Sequence, residues 1–296
     1  MPDGNDATPR ITREMIRAYD DYTHLTLDRR RFMERLTQLA GSGAAAAAIA
    51  PLLGASSAAA QIVSPEDERI VSQEVDFLGA EGTMTGYLVR PADQPEPLPA
   101  VIVIHENRGL NAHIRDVARR MALEGFVALA PDFLSPGGGT PDDEDAARTA
   151  IGELDGDTTT ANAVAAAAYM QSAEGSNGNV GAIGFCWGGG LVNDLAAAAP
   201  DLKAGVVYYG RQGTAEQAAT IRGAMLFHYG GLDERINAGI DAYEAALQAA
   251  GVAFESHVYE GVNHAFNNDS SAARYDEAAA ALAWQRTVEF LKRELG

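Results

Sequence analysis

The stretch Gly184-Phe185-Cys186-Trp187-Gly188 places the only cysteine of the 296-residue chain between a strand-like and a helix-like run. Glycine on both sides suits a nucleophile at a sharp strand-to-helix turn, where larger side chains would collide. The positive N-terminal end of the following helix would lower the pKa of a thiol there. We predict Cys186 as a nucleophile and the Trp187 N–H as half of an oxyanion hole. The alternative is a buried structural cysteine.

A thiol nucleophile needs a general base, and three histidines follow Cys186 in the chain. His228 and His257 each lie inside a strand-like run, where they face the core or the solvent. His264 lies in "EGVNHAFNND", a loop between the last predicted strand and the last predicted helix. We therefore predict His264 as the base.

The base needs an acid to orient it, in the chain order nucleophile, acid, histidine. Asp233 in "HYGGLDERI" comes directly after a predicted strand, and its neighbour Glu234 competes for the role. Asp233 could instead cap the helix that starts near Ile236, or do both.

The segment "HENRGLN" follows the apolar run "AVIVI", where the second oxyanion donor of this arrangement is expected. We predict that the Asn107 N–H is that donor and that Glu106 faces Cys186. A carboxylate beside the thiol would raise its pKa and hold its proton until substrate arrives. Alternatively, Glu106 pairs with Arg108 or Arg115 at the surface.

Strand-like and helix-like runs alternate from Gln61 to the C-terminus. Short apolar runs such as "AVIVIH" and "FVALAPDF" are typical of strands buried on both faces, so the alternation predicts a mostly parallel, doubly wound sheet. The runs "VSQEVDFL" and "TMTGYLVR", joined around Gly79 and Gly82, predict an antiparallel hairpin at its N-terminal edge. Ligands of such sheets bind where the strands end, which is where the candidate residues lie.

The motifs "HENRGLN", "GFVALAPDF", "GFCWGGG", "GLDERI" and "GVNHAF" together resemble the dienelactone hydrolase (carboxymethylenebutenolidase) family of the α/β-hydrolase superfamily. The likeness runs from about Val75 to Leu295 and is closer to a subgroup with an N-terminal extension. It implies the α/β-hydrolase fold, with Cys186 as nucleophile, His264 as base, Asp233 as orienting acid and Glu106 as the carboxylate that gates the thiol.

The resemblance also implies a reaction: hydrolysis of a lactone or small carboxylic ester through a thioacyl intermediate, with no metal and no organic cofactor. Family members that act on dienelactone hold its carboxylate with two arginines. Here Pro136 and Asn268 occupy the equivalent places, so Arg211 in "YYGRQG" is the candidate replacement, with Asn268 as a further substrate contact. Arg211 is equally well explained as a surface residue.

Three other functions remain to be weighed. A general carboxylesterase would use the same triad and differ only in its pocket, whereas a binding module would keep the fold with an inert or redox-sensing thiol. Zinc binding is disfavoured because the six histidines lack close paired spacing and Cys186 has no cysteine partner.

The chain has 22 basic and 41 acidic residues and a formal net charge of −19, which disfavours nucleic acid and anionic membrane surfaces as partners. No run is apolar and long enough for a stable membrane span. The expected partner is therefore a small ester or lactone, and homo-oligomerisation stays open.

Residues 1–60 differ from the hydrolase domain predicted over residues 61–296. Paired arginines Arg29 and Arg30, an Ala-rich run and the exit Ala58-Ala59-Ala60 resemble a twin-arginine export signal over residues 28–60. This predicts export to the periplasm. The alternative is an N-terminal helical segment that is retained in the cytoplasm and packs on the domain.

Overall fold

The computed structural model describes residues 10–24, 27–54 and 61–296. Eight strands form one sheet in the order β1-β2-β4-β3-β5-β6-β7-β8. They are β1 (Ile70–Gly79), β2 (Gly82–Pro91), β3 (Leu98–Ile104), β4 (Val127–Asp132), β5 (Ser176–Phe185), β6 (Ala204–Tyr208), β7 (Ala224–Gly230) and β8 (Phe254–Tyr259). Strands β3 to β8 pair in parallel, whereas β1 pairs with β2, and β2 with β4, antiparallel.

Helices cover both faces of this sheet. In the part that follows β3 they are α4 (Ala112–Leu123), α5 (Glu144–Gly152), α6 (Gly156–Gln171), α7 (Trp187–Ala198), α8 (Ala215–Ala218), α9 (Glu234–Asn237), α10 (Ile240–Ala250) and α11 (Glu277–Leu295). A short 3₁₀ turn spans Ser135–Gly137. One core cluster packs α4 and α11 on the sheet, and a second packs α6, α7 and α10 on the opposite face.

The predicted fold class is confirmed. The run Ala100 to Ile104 in β3 is fully buried, as expected of a strand with helices on both faces. The predicted hairpin is present, with Gly79 opposite Gly82 at its turn. Two short helices, α5 and α8, are not among the predicted elements. The helix expected near Ile236 is divided into α9 and α10, and Gly239 is the residue before α10.

Three further helices, α1 (Arg13–Thr23), α2 (Arg29–Ala40) and α3 (Gly43–Leu53), precede the sheet. They bury a cluster of their own that includes Tyr19, Phe32 and Leu36. Within the described residues, no single helix is long and apolar enough to cross a membrane. Helices α2 and α3 meet that criterion only as a pair, which is bent by 112°.

The predicted twin-arginine pair Arg29 and Arg30 begins α2. The predicted signal exit at Ala58 to Ala60 lies outside the described residues. Export therefore stays a prediction, and the described helices pack against the hydrolase domain.

Candidate active site

Cys186 lies at the turn between β5 and α7, with φ 55° and ψ −112°. Few non-glycine residues adopt this conformation, and such strain is concentrated at functional sites. The turn closes only with glycine on both sides, because a Cβ on Gly184 would overlap the Gly188 backbone and a Cβ on Gly188 would overlap the His105 carbonyl. The sulfur is thereby placed at the positive end of α7.

His264 and Asp233 are brought together as predicted. The Nδ1 atom of His264 donates a hydrogen bond to Asp233 Oδ2 at 2.5 Å, and both side chains are buried. Asp233 also caps α9, since its Oδ1 accepts from the Ile236 N–H at 3.2 Å. Glu234, the competing candidate, is instead exposed and pairs with Arg17.

A histidine that the sequence analysis did not identify completes the site. His24 follows the last turn of α1, and its Nε2 lies 3.3 Å from Cys186 Sγ. A ring nitrogen of His264 is also near, because one side-chain atom each of His24, Cys186 and His264 lies within 4.8 Å of the other two. The sequence carries no signal for His24, because it precedes Cys186 in the chain and the histidine of this arrangement is expected to follow the nucleophile.

The two imidazoles set the ionisation of the thiol. Burial by itself raises the pKa of Cys186, but the neighbouring His24 and His264 outweigh burial and lower the pKa to about 6. Burial by itself lowers the pKa of His264, but the neighbouring Asp233 and Cys186 outweigh burial and raise the pKa to about 10. Burial likewise opposes ionisation of Asp233, and His264 holds the pKa of this carboxyl below its ordinary value. The site therefore favours a thiolate beside an imidazolium at neutral pH.

Glu106 lies in a buried hydrogen-bond network, and among the described residues it makes no hydrogen bond with the thiol. Its carboxylate accepts from Asn268 Nδ2 at 2.6 Å and from the Tyr209 hydroxyl at 3.5 Å. The surface pairs considered for it form elsewhere, Arg108 with Glu144 and Arg115 with Glu74.

Two expectations about this network need correction. The pKa of Cys186 is lowered, opposite to the direction expected from a gating carboxylate. Asn268 is buried, with its amide bonded to Glu106 and Ser270, so it positions Glu106 instead of facing substrate.

Backbone strain surrounds the site. In the described chain, the non-glycine residues with positive φ are Cys186, Tyr209 at 40° and Ala265 at 60°. Tyr209 follows β6 and its ring lies 5.0 Å from that of His264, while Ala265 follows His264 directly. Positive φ thus occurs at the candidate nucleophile, directly after the candidate base, and at the tyrosine packed against that base.

A pocket of about 210 Å³ opens onto Cys186. His24 and Trp187 line it, together with the predicted oxyanion residue Asn107 and the predicted substrate contact Arg211. The guanidinium of Arg211 is more than half exposed and pairs with Asp194. The structure therefore brings Arg211, but not Asn268, to the pocket.

The remaining histidines have structural contacts. His228 is fully buried in β7, with hydrogen bonds to Thr287 and Tyr259. His257 is half-buried in β8 near Glu255. Both residues lie within strands, as the sequence analysis expected, and neither lines the pocket at Cys186.

A mostly parallel sheet in this strand order, with a cysteine at a strained strand-to-helix turn and a histidine–acid pair on later loops, defines a hydrolase of the α/β-hydrolase fold. The chain belongs to the dienelactone hydrolase family, whose model matches residues 84–295. The family resemblance seen in the motifs is thereby confirmed.

Individual relatives agree. A protein of Escherichia coli O157:H7 named "Putative carboxymethylenebutenolidase" is 34% identical over 254 residues, covering 81% of this chain and 93% of its own. The "Putative Dienelactone Hydrolase from Klebsiella pneumoniae subsp. pneumoniae MGH 78578" has a TM-score of 0.70 and 30% identity, covering 76% of this chain and 99% of its own. The "Dienelactone Hydrolase-like Promiscuous Phospotriesterase P91 from Metagenomic Libraries" has a TM-score of 0.71 and 25% identity, covering 77% and 100%.

Proposed function

We propose that this hydrolase cleaves a lactone or small carboxylic ester through Cys186, His264 and Asp233, with a thioacyl-enzyme intermediate. The observation that carries the proposal is that the thiol of Cys186, whose backbone has a positive φ, lies beside the buried His264–Asp233 pair and lines a pocket. Membership of a family of ester and lactone hydrolases supports the same reaction.

The first half-reaction uses the thiolate as nucleophile. Its sulfur attacks the substrate carbonyl carbon, and the carbonyl electron pair moves onto oxygen. The N–H of Trp187, in the first turn of α7, has no acceptor within its own helix and suits the resulting oxyanion, and we assign the second donor to the Asn107 N–H.

The collapse of this intermediate requires a proton donor. The Nε2 of His264 is buried and makes no hydrogen bond, so it can give its proton to the departing alkoxide oxygen. Asp233 holds the ring in place and stabilises its positive charge. The acyl group then remains on Cys186 as a thioester.

Water completes the cycle. His264, now neutral, takes a proton from water as the water oxygen attacks the thioester carbonyl. The carbon–sulfur bond breaks, the carboxylic acid leaves, and the thiolate–imidazolium pair is restored. Every step uses groups that the site contains.

The pocket favours a small substrate. Its volume of about 210 Å³ lies below the range of roughly 300–1,000 Å³ that is usual for drug-sized ligands. Trp187, Ile151 and Ile236 give it apolar walls, while Arg211 and Arg235 place positive charge at its edge. We propose a compact acyl group, with a carboxylate or other polar substituent directed toward Arg211.

Steady-state hydrolysis of dienelactone and of p-nitrophenyl acetate by the wild type and Cys186→Ala tests the proposal. We expect wild-type turnover that falls by about 10³-fold or more in the variant. Iodoacetamide should abolish wild-type turnover in the same way.

The two substrates separate the alternatives. Turnover of p-nitrophenyl acetate alone, still dependent on Cys186, would identify a general carboxylesterase. Equal rates for wild type and variant with both esters would contradict the proposal and favour a binding module.

A further inference from the structure

We propose that His24, Cys186 and His264 together bind a zinc ion, with the fourth coordination position open to the pocket. One side-chain ligand atom from each of the three residues lies within 4.8 Å of the other two. For His264 we assign this role to Nε2, because Nδ1 is hydrogen-bonded to Asp233. A donor set of one thiolate and two imidazoles, with one open position, is typical of zinc. The sequence alone disfavoured such a site because the six histidines lack close paired spacing and Cys186 has no cysteine partner.

The spacing of the three atoms suits a single ion. The distance from His24 Nε2 to Cys186 Sγ is 3.3 Å. Zinc bonds are about 2.3 Å long to sulfur and about 2.0–2.1 Å long to nitrogen. Two ligand atoms of a tetrahedral zinc ion are therefore only a few ångströms apart, which is comparable to the distance between His24 Nε2 and Cys186 Sγ. Coordination therefore requires small side-chain shifts and no rearrangement of the backbone.

Both imidazoles are already oriented as zinc ligands are. The Nδ1 of His24 lies 2.7 Å from the Asp20 carbonyl oxygen, which can only accept a hydrogen bond, so Nδ1 carries the proton. The Nδ1 of His264 donates to the Asp233 carboxylate at 2.5 Å. When its ring is neutral, each histidine therefore keeps a lone pair on Nε2. A hydrogen bond from the other ring nitrogen, here Nδ1, usually supports a metal-bound histidine.

A buried atom without a partner points to the same ligand. His264 is only 3% exposed, and its Nε2 makes no hydrogen bond. Leaving a buried polar atom unpaired is unfavourable, so such atoms are rare in folded proteins. A zinc ion between the two rings would satisfy His264 Nε2 without disturbing the Asp233 contact.

Zinc is favoured over hard cations by the donor atoms. Magnesium and calcium prefer oxygen ligands, whereas thiolate and imidazole select zinc among the common closed-shell divalent ions. Aspartate contributes here only through the Nδ1 hydrogen bond of His264. The pocket beside Cys186 leaves room for water or another small ligand at the fourth position.

Zinc binding releases a proton from the site. In the metal-free state, His264 Nε2 carries a proton beside the Cys186 thiolate. Zinc takes the sulfur lone pair and both Nε2 lone pairs, so that proton leaves to solvent and no electrons are transferred.

The consequence for catalysis rests on the proposed function. While the sulfur is a zinc ligand it cannot attack a carbonyl, and His264 Nε2 cannot donate a proton. Zinc should therefore be a reversible inhibitor whose binding also holds the end of α1 at the site, because His24 comes from that segment.

The binding test uses the full chain after treatment with a chelator. Cobalt(II) is titrated as a spectroscopic probe, and zinc affinity is measured by competition with a chromophoric chelator. We expect one ion per chain, a thiolate-to-cobalt charge-transfer band, and net proton release on zinc binding in calorimetry at neutral pH.

Two variants and a control make the test specific. His24→Gln removes a ligand while keeping side-chain size, and we expect its zinc affinity to fall by at least about 10-fold. Asp233→Asn should weaken zinc binding by about 10- to 100-fold, as loss of a supporting hydrogen bond usually does. His257→Gln, on β8 outside the site, should bind zinc like the wild type. Circular dichroism and thermal unfolding confirm that each variant is folded.

The outcomes separate this proposal from the proposed function. The absence of a thiolate-to-cobalt band, or equal zinc affinity in the wild type and His24→Gln, would overturn the zinc site whatever the hydrolysis rates. Zinc bound as described by a protein that hydrolyses no ester would retain the site and reject the proposed function. Inhibition by zinc that is reversed by chelator and weakened in His24→Gln would support both.

Discussion

The Nε2 atom of His24 lies 3.3 Å from Cys186 Sγ, although 162 positions separate the two residues. The contact depends on how the end of α1 docks on the hydrolase domain. Asn107 Nδ2 donates to the Thr23 carbonyl and Arg148 Nη1 to the Tyr22 carbonyl, each at 2.5 Å. These bonds satisfy carbonyls that the end of a helix leaves unpaired. The end of α1 therefore contributes a side chain to the candidate active site.

The ionisation of the site predicts a bell-shaped pH profile for kcat/KM. Below the lowered pKa of Cys186, about 6, the thiol is protonated and activity should fall about tenfold per pH unit. Above the raised pKa of His264, about 10, the imidazolium loses the proton that it gives to the leaving group, and activity should fall again. Hydrolysis of a neutral ester from pH 4.5 to 11 measures both limbs. Constant activity down to pH 5 would contradict this assignment.

His24→Gln should raise the pKa of Cys186. Glutamine fills a similar volume but carries no charge, so the burial that raises the thiol pKa remains while the lowering effect of His24 is lost. The pH dependence of alkylation by iodoacetamide reports the thiolate fraction directly. We expect its midpoint to move from about 6 toward the ordinary thiol value, and to stay in place in the matched variant His257→Gln. An unchanged midpoint in His24→Gln would show that His264 alone sets the thiol pKa.

Asp233→Asn and Asp233→Ala should separate the two roles of this carboxylate. Asparagine still caps α9, so Asp233→Asn should keep thermal stability while kcat falls by about 10²- to 10⁴-fold, because the positive charge on His264 loses its partner. Alanine should lose activity to a similar extent and also destabilise the fold by about 1 kcal/mol. Thermal unfolding and kcat measured on the same samples give both readouts. Equal stability of the two variants would argue against the capping role.

Arg211→Ala should affect anionic substrates selectively. Arg211 lines the pocket beside Cys186 and can donate a charge-assisted hydrogen bond to a substrate carboxylate. The loss of such a bond should raise KM by about 10-fold. The KM of an uncharged ester should stay nearly constant. Arg222→Ala is the matched control, since Arg222 bonds only to nearby backbone carbonyls far from this pocket. A parallel rise in KM for both substrates would assign Arg211 a structural role.

Much of the hydrolase domain follows from local patterns in the sequence. Fully buried apolar runs such as β3 are predictable because a strand covered on both faces needs apolar residues at every position. The turn at Cys186 is predictable because side chains at Gly184 and Gly188 would collide with nearby backbone, so the turn requires glycine at both positions. Short helices such as α8 are not predictable in this way, because four residues are too few to show a helical pattern of apolar positions.

The partners of Glu106 could not be predicted in the same way. Its carboxylate is bonded by Tyr209 and Asn268, which come from segments that are far apart in the chain. Nothing in the local sequence distinguishes this buried network from a surface ion pair. Only the packing of the loops around the ends of the strands decides it.

The sequence by itself determined the sheet, the nucleophile turn and the order of nucleophile, acid and histidine, because these depend on side-chain types at short range and on the direction of successive strands. Only the tertiary structure decided that His24 reaches the thiol, that His24 and His264 lower the pKa of Cys186, and that Asn268 supports Glu106. The physical reason is that hydrogen bonds and charge interactions depend on distance in space. Here the distances are set by the docking of α1 and of the loops on the finished sheet.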